Sequence, residues 1–206
     1  MKLISFKQNG KIKFGAFEDG MIYDLHALNS NIADNMLEFL QGGEEQLQLA
    51  IATVQNESAA ISVKDVELLS PIPNPTSVRD AYAFRQHVAT ARRNRGLEMI
   101  PEFDEIPIFY FTNHNAVFGE GDFPVLPHHT EKLDFELECA AVIGKGGRNI
   151  SASVADDYIF GFMIMNDMSA RVLQMQEMKL NLGPAKGKDF GSSFGPWLVT
   201  KDEVEP

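Results

Sequence analysis

The chain has 206 residues, 44% of them hydrophobic and 23% charged, which excludes a disordered, collagen-like or coiled-coil protein. A formal net charge of −11 excludes a general binder of the nucleic-acid phosphate backbone, though a small anionic substrate feels only its local pocket. The single cysteine, Cys139, excludes an internal disulfide framework and a multi-cysteine zinc site.

At the N-terminus Gln8, Asn9 and Gly10 cut the apolar run short, so no secretory signal is expected. No run of about 18 apolar residues supplies a membrane span. A cytoplasmic protein with neither nucleic-acid nor membrane partners is the expectation. Residues 2–6 and 11–17 are predicted strands joined by an Asn9-Gly10 hairpin turn, and Met21–Tyr23 a third. Asp34–Gln41 is predicted helical up to Gly42-Gly43, and Leu47, Ala50, Ile51 and Val54 recur at helical spacing over 44–55. Pro71, Pro73 and Pro75 then deny both helix and sheet hydrogen bonds. The domain boundary is therefore placed there, with a small α+β domain over 1–70, a Pro-rich linker over 71–77 and a second domain over 78–206.

Past the linker, Ser77–Arg95 is predicted as a helix with Ser77 as N-cap and Gly96 as stop. Residues 106–111 are a predicted strand, Leu133–Gly144 a long one, Ser151–Asp157 a short capped helix and Tyr158–Met165 a buried strand. Ser169–Met178 is a predicted helix, 181–196 a glycine-rich loop and Trp197–Thr200 a strand. The fold class is α+β with mixed or antiparallel sheets.

Four segments carry candidate chemistry. In Leu133-Asp-Phe-Glu-Leu-Glu-Cys139, strand alternation puts Asp134, Glu136 and Glu138 on one face. Three like charges there repel unless a divalent cation binds them; the alternative is a solvated strand face. All-oxygen ligation suits Mg²⁺, Mn²⁺ or Ca²⁺ better than Zn²⁺. Asp167 stands where a buried strand gives way to a helix and either caps that helix or meets a ligand, Ser169 being free to cap. On the predicted helix after the linker, Asp80 and His87 lie two turns apart, roughly 10 Å, too far to share one metal. Asp80 is alternatively the acid of a capping box with Ser77, and Arg92, Arg93 and Arg95 suit the helix end. The glycines of 182–191 let Lys188 approach a ligand, or form a plain surface loop. His128-His129 is left as surface.

Together RDAYAFRQH (79–87), LDFELECAAVIGK (133–145), GFMIMNDMSARVLQ (161–174) and LGPAKGKDFGSSFGPWLV (182–199) resemble the fumarylacetoacetate hydrolase family, in its order and spacing. The resemblance implies a small N-terminal domain followed by a catalytic domain of rolled mixed β-sheets. It implies four metal carboxylates, Asp80, Glu136, Glu138 and Asp167, with Asp134 beside them as a non-ligand. His87 matches the histidine that activates water, and Arg171, Gln174 and Lys188 match positions near metal and substrate. Tyr82 matches a substrate-contacting tyrosine; Tyr110 and Arg95 are looser matches.

Hydrolysis of a C–C bond in a fumarylacetoacetate- or acylpyruvate-type diketo acid is the implied reaction, with Mg²⁺ (or Mn²⁺ or Ca²⁺) stabilising the enolate leaving group. The resemblance also implies a place in aromatic amino acid catabolism and a homodimer at full length. Alternatives are a 2-oxo acid decarboxylase, hydratase or isomerase of the same family, and an inactive metal-binding fragment serving as an interaction module. Members of the family continue past the GPW segment with a glutamate that polarises the histidine and several closing strands. The catalytic domain is therefore expected to be C-terminally incomplete.

Overall fold

Lys2–Gln8 (β1) and Lys11–Glu18 (β2) pair antiparallel around Asn9 and Gly10, whose φ of 51° and 77° make the tight turn that asparagine and glycine accommodate. The computed structural model describes residues 1–56 and 59–204. Met21–Asp24 (β3) adds to β2, and three helices follow: Leu25–Leu28 (α1), Met36–Gln41 (α2) and Gly43–Gln55 (α3). Asn35 starts α2 by accepting a hydrogen bond from the Glu38 amide. Ile61–Ser62 (β4) and Glu67–Leu68 (β5) complete this half. The remaining elements are Val78–Ala81 (β6), Arg85–Asn94 (α4), Glu102–Glu105 (α5), Phe109–Thr112 (β7) and Val117–Phe118 (β8), then Leu133–Ile143 (β9), Ile159–Ala170 (β10), Arg171–Glu177 (α6), Ser192–Thr200 (β11) and Lys201–Val204 (α7).

One nine-stranded sheet runs β4-β3-β2-β1-β11-β10-β9, with β5 added to β1 and β8 to β11. Its pairs are antiparallel except β8–β11, and β6 and β7 form a separate antiparallel pair. The sheet passes from the first half of the chain to the second through β1 and β11, where Lys2 faces Val199. Leu25, Phe39, Leu47 and Ala50 of the helices pack with Leu3, Phe14, Val142 and Leu198 of the strands into one core. Within the segment 71–77, Pro71 and Ile72 are buried, and Ser5 Oγ donates to the Pro71 carbonyl at 2.8 Å. No helix among the described residues is long and apolar enough to cross a membrane.

Several element boundaries differ from expectation. Residues 78–81 are strand, not helix, because they pair with 109–112, a partner about thirty residues away whose pairing overrides local helical spacing. Asp80 is therefore not a capping acid, and α4 begins at Arg85 without a side-chain cap. The strand expected to end at Met165 continues to Ala170, hydrogen-bonded to β9 along its whole extension and to β11 through Asp167. Neither Asp167 nor Ser169 caps α6; the preceding residue is Ala170. The loop expected over 181–196 ends early, since β11 starts at Ser192. Residues 152–158 form a 3₁₀ helix.

Candidate metal centre

β9 presents Asp134, Glu136 and Glu138 on one face, and its register with β10 sets Asp167 directly opposite Glu136. Side chains opposed in that way stand about 5 Å apart at Cβ, close enough to share a ligand. β6 brings Asp80 to the same place. One carboxylate oxygen from each of Asp80, Glu136, Glu138 and Asp167 lies within 4.8 Å of the other three. The four residues expected to hold one cation are thus assembled from three strands.

Asp167 is fully buried, and its Oδ1 has no hydrogen-bond partner among the described residues. Its other oxygen, Oδ2, accepts from Lys188 Nζ and lies 2.9 Å from the Tyr110 hydroxyl. Lys188 Nζ also donates to Ser169 Oγ at 2.7 Å and lies 2.9 Å from Glu136 Oε2. Arg171 grips the rim. Its guanidinium reaches Glu136 Oε1 at 2.5 Å and Asp134 Oδ2 at 3.0 Å, and donates to Gln174 Oε1 at 3.2 Å.

Charge crowding shows in the protonation of the acids. Burial, then the charges of Asp80, Asp167 and Glu136, push Glu138 up to about 7. Burial likewise pushes Asp167 up to about 6, against the pull of the Lys188 bond. Burial pushes Glu136 the same way, but the bonds from Lys188 and Arg171 prevail and hold it below its ordinary value. A hard divalent cation fits this set: the donors are all oxygen, the acids repel one another, and a buried acceptor, Asp167 Oδ1, is unpaired.

The other expected site residues divide into two groups. Arg171, Lys188, Gln174 and Tyr110 are joined to the carboxylates directly or through Arg171. His87 is exposed on α4, where it lines a shallow surface cleft with Phe84, Arg85 and Thr90, and no hydrogen bond or ion pair links it to the acids. Tyr82 is exposed, and so is Arg95, the residue that closes α4. The separation of Asp80 from His87 along one helix does not exist, since Asp80 is on a strand.

Two residues escaped the sequence reading. Ser169, expected as a cap, accepts from Lys188 instead. His129, expected on the surface, is buried with its ring stacked on Phe190 at 4.2 Å, and its Nδ1 accepts from the Leu126 amide. Burial, then the neighbouring His128, lowers its pKa. The alternation along 165–169, which places Ser169 on the face of Asp167, is the signal that could have found the serine.

The family described as fumarylacetoacetate (FAA) hydrolase C-terminal matches residues 76–206. The chain belongs to the fumarylacetoacetate hydrolase family. It is 29% identical over 208 residues to the mitochondrial oxaloacetate tautomerase fahd2 of Xenopus laevis, covering 99% of this chain and 63% of that protein. An uncharacterized protein of Staphylococcus aureus is 30% identical over 224 residues, covering 99% of this chain and 71% of its own length. Among solved structures, a fumarylacetoacetate hydrolase from the psychrophile Exiguobacterium antarcticum superposes with a TM-score of 0.71 at 28% identity, covering 100% of this chain and 69% of that one. The chain therefore spans only 63% to 71% of the length of these three relatives.

Proposed function

We propose that this chain carries the metal-holding part of a divalent-metal-dependent enzyme acting on a small anionic diketo acid, and that the reaction is hydrolysis of a C–C bond of the fumarylacetoacetate or acylpyruvate type. The supporting observation is the convergence of Asp80, Glu136, Glu138 and Asp167 within 4.8 Å. Mg²⁺, Mn²⁺ or Ca²⁺ held there supplies Lewis-acid stabilisation of negative charge on the oxygens of a 2-oxo acid. Arg171 and Lys188 set two fixed cations beside the acids, so an anionic substrate meets positive charge at the cage. Tyr110 braces Asp80 and Asp167. His87 is the proposed base for the attacking water, which requires α4 to carry it to the carboxylates.

A second reading is keto–enol isomerisation of a 2-oxo acid. One observation favours it: a relative matching 99% of this chain is named an oxaloacetate tautomerase. Isomerisation moves a proton from carbon to oxygen without attack by water, so it needs a proton acceptor but no water-activating base.

Nuclear magnetic resonance of the products separates the readings when 1,3-diketo acids and oxaloacetate are incubated with the protein and Mn²⁺. Two carboxylic fragments mean hydrolysis. Accelerated exchange between enol and keto forms without cleavage means isomerisation. Tight Mn²⁺ binding with no turnover on any substrate points to a metal-binding interaction module.

A further inference from the structure

We infer that Glu177 is the positioning residue for Lys188: its carboxylate clamps the loop ahead of that lysine and so sets the ammonium among the acids of the centre. Lys188 is only 2% exposed, yet it is delivered by the irregular segment 181–191. A long side chain on an unanchored loop would lose much rotamer and backbone freedom in reaching a buried position. Something must hold that loop.

Glu177 ends α6. Its Oε1 accepts from the amides of Ala185 at 2.6 Å and Gly187 at 3.2 Å, and its Oε2 from the amide of Lys186 at 2.7 Å. Three successive backbone amides turned onto one carboxylate make a concave anion site, and each bond is charge-assisted. The Gly187 carbonyl then accepts from the Ala170 amide at 2.9 Å, which ties the loop to the end of β10. Gly187 also lies flat on α6: a Cβ there would meet Gln174 Cβ, Cα and N at 2.6, 2.7 and 2.8 Å. Gln174 and Glu177 are three residues apart on one helix face, so α6 touches the loop twice.

Placement of the glutamate is locally unfavourable. An acid in the last turn of a helix faces the negative end of the dipole, and such local conflicts mark positions where another demand prevails. Here that demand is the loop. The N-terminal end of the same helix carries Arg171, which grips Glu136. α6 therefore holds the centre at one end and the loop bearing Lys188 at the other. The functional consequence rests on the proposed role of the carboxylate centre; the clamp itself is measurable without metal.

The test is acylation of lysines with an amine-reactive succinimidyl ester, mapped by mass spectrometry, beside amide hydrogen exchange of the same proteins. In the unmodified chain Lys188 is protected while the exposed Lys186 is labelled. Glu177→Ala raises the labelling rate of Lys188 by about tenfold or more and speeds exchange at 185–187, with β9 and β10 still protected. Glu177→Gln, which keeps the shape and one acceptor, gives an intermediate result. Unchanged labelling of Lys188 and unchanged exchange in Glu177→Ala overturn the inference. Loss of protection throughout Glu177→Ala moves the decision to Glu177→Gln, where faster exchange confined to 185–187 supports the clamp and unmodified behaviour overturns it. A Mn²⁺ titration of the unmodified chain keeps the two proposals apart: no binding overturns the metal centre and leaves the labelling result standing.

Discussion

Tyr110 and Asp80 face one another across the β6–β7 pair, and the tyrosine hydroxyl donates to Asp80 Oδ2 at 2.6 Å. The same hydroxyl lies 2.9 Å from Asp167 Oδ2, so one proton serves two acids that belong to different sheets. Burial, then the charge of Asp167, pushes the phenol far above its ordinary value, and it stays a donor at every working pH. Changing Tyr110→Phe removes the brace and leaves both acids in place. By the usual cost of losing an outer partner of a metal ligand, Mn²⁺ affinity should fall about 10- to 100-fold. Equal affinities by titration calorimetry would show that Asp80 needs no such support.

Glu136 and Asp134 offer an internal comparison on one strand face. Both pair with Arg171, but Glu136 belongs to the four-acid cluster and Asp134 does not. Glu136→Ala should weaken Mg²⁺ and Mn²⁺ binding strongly, since it deletes a charged ligand. Asp134→Ala should leave binding close to that of the unmodified chain. If the two variants bind the ions alike, Glu136 is not a ligand.

The pH dependence follows from Glu138 and Asp167. Glu138 moves from an ordinary 4.5 to about 7 in the folded chain, and Asp167 from 3.8 to about 6. In this range the folded, cation-free chain keeps protons that the unfolded chain releases, so its stability falls as pH rises from about 4 to about 7. Below that range both states are protonated and the effect vanishes; above it the loss is complete. A bound cation takes the place of those protons. Apparent Mn²⁺ affinity should therefore climb as pH rises through about 6 to 7, by up to about tenfold per pH unit for each proton displaced, and then level off. Calorimetric titrations at about pH 5.5 and about pH 8 check the sign, and an affinity independent of pH rules the protonated cluster out.

The acids of β9 were legible because strand alternation is local: every second residue from Asp134 to Glu138 is acidic, and the structure keeps that alternation. The hairpin at Asn9-Gly10 was legible for the same reason. What escaped depends on partners distant in sequence. Residues 78–81 carry the spacing of a helix, and only their pairing with 109–112 makes them strand. Tyr110 was a loose match until that register set it opposite Asp80. Ser169 has the chemistry of a cap, and its bond to Lys188 requires a loop folded back from residues 181–191. His129 has no helical or strand periodicity to mark it, and its burial comes from Phe190, far along the chain.

His87 separates metal binding from catalysis. It is exposed on α4 and outside the cluster, so His87→Ala should leave Mn²⁺ affinity essentially unchanged. If the proposed hydrolysis uses it as a base, the same change should lower kcat by about 10²- to 10⁴-fold in a form of the protein that turns over. Loss of the metal in this variant would make the histidine a ligand, and undiminished turnover would remove it from the reaction.

The alternation that gathers the acids of β9 on one face puts Phe135 and Leu137 on the other, where they are 57% and 69% exposed. Ile164 on β10, opposite Cys139, adds to that face at 49% exposure. Among the described residues β9 is the last strand of the sheet path, and its outer edge pairs with no other strand. An apolar face beside an open strand edge is the arrangement that favours pairing with another chain. The chain should accordingly self-associate as its concentration rises. Leu137→Lys places a charge in the middle of that face and on the edge strand, and should restore the monomer. Because residue 137 points away from Glu136 and Glu138, the variant should bind Mn²⁺ as the unmodified chain does. Multi-angle light scattering across a concentration series, with calorimetry on the same samples, measures both effects. A monomer at every concentration without the substitution would mean that this face is not sticky, whereas loss of Mn²⁺ binding in Leu137→Lys would mean that the two faces of β9 are not independent.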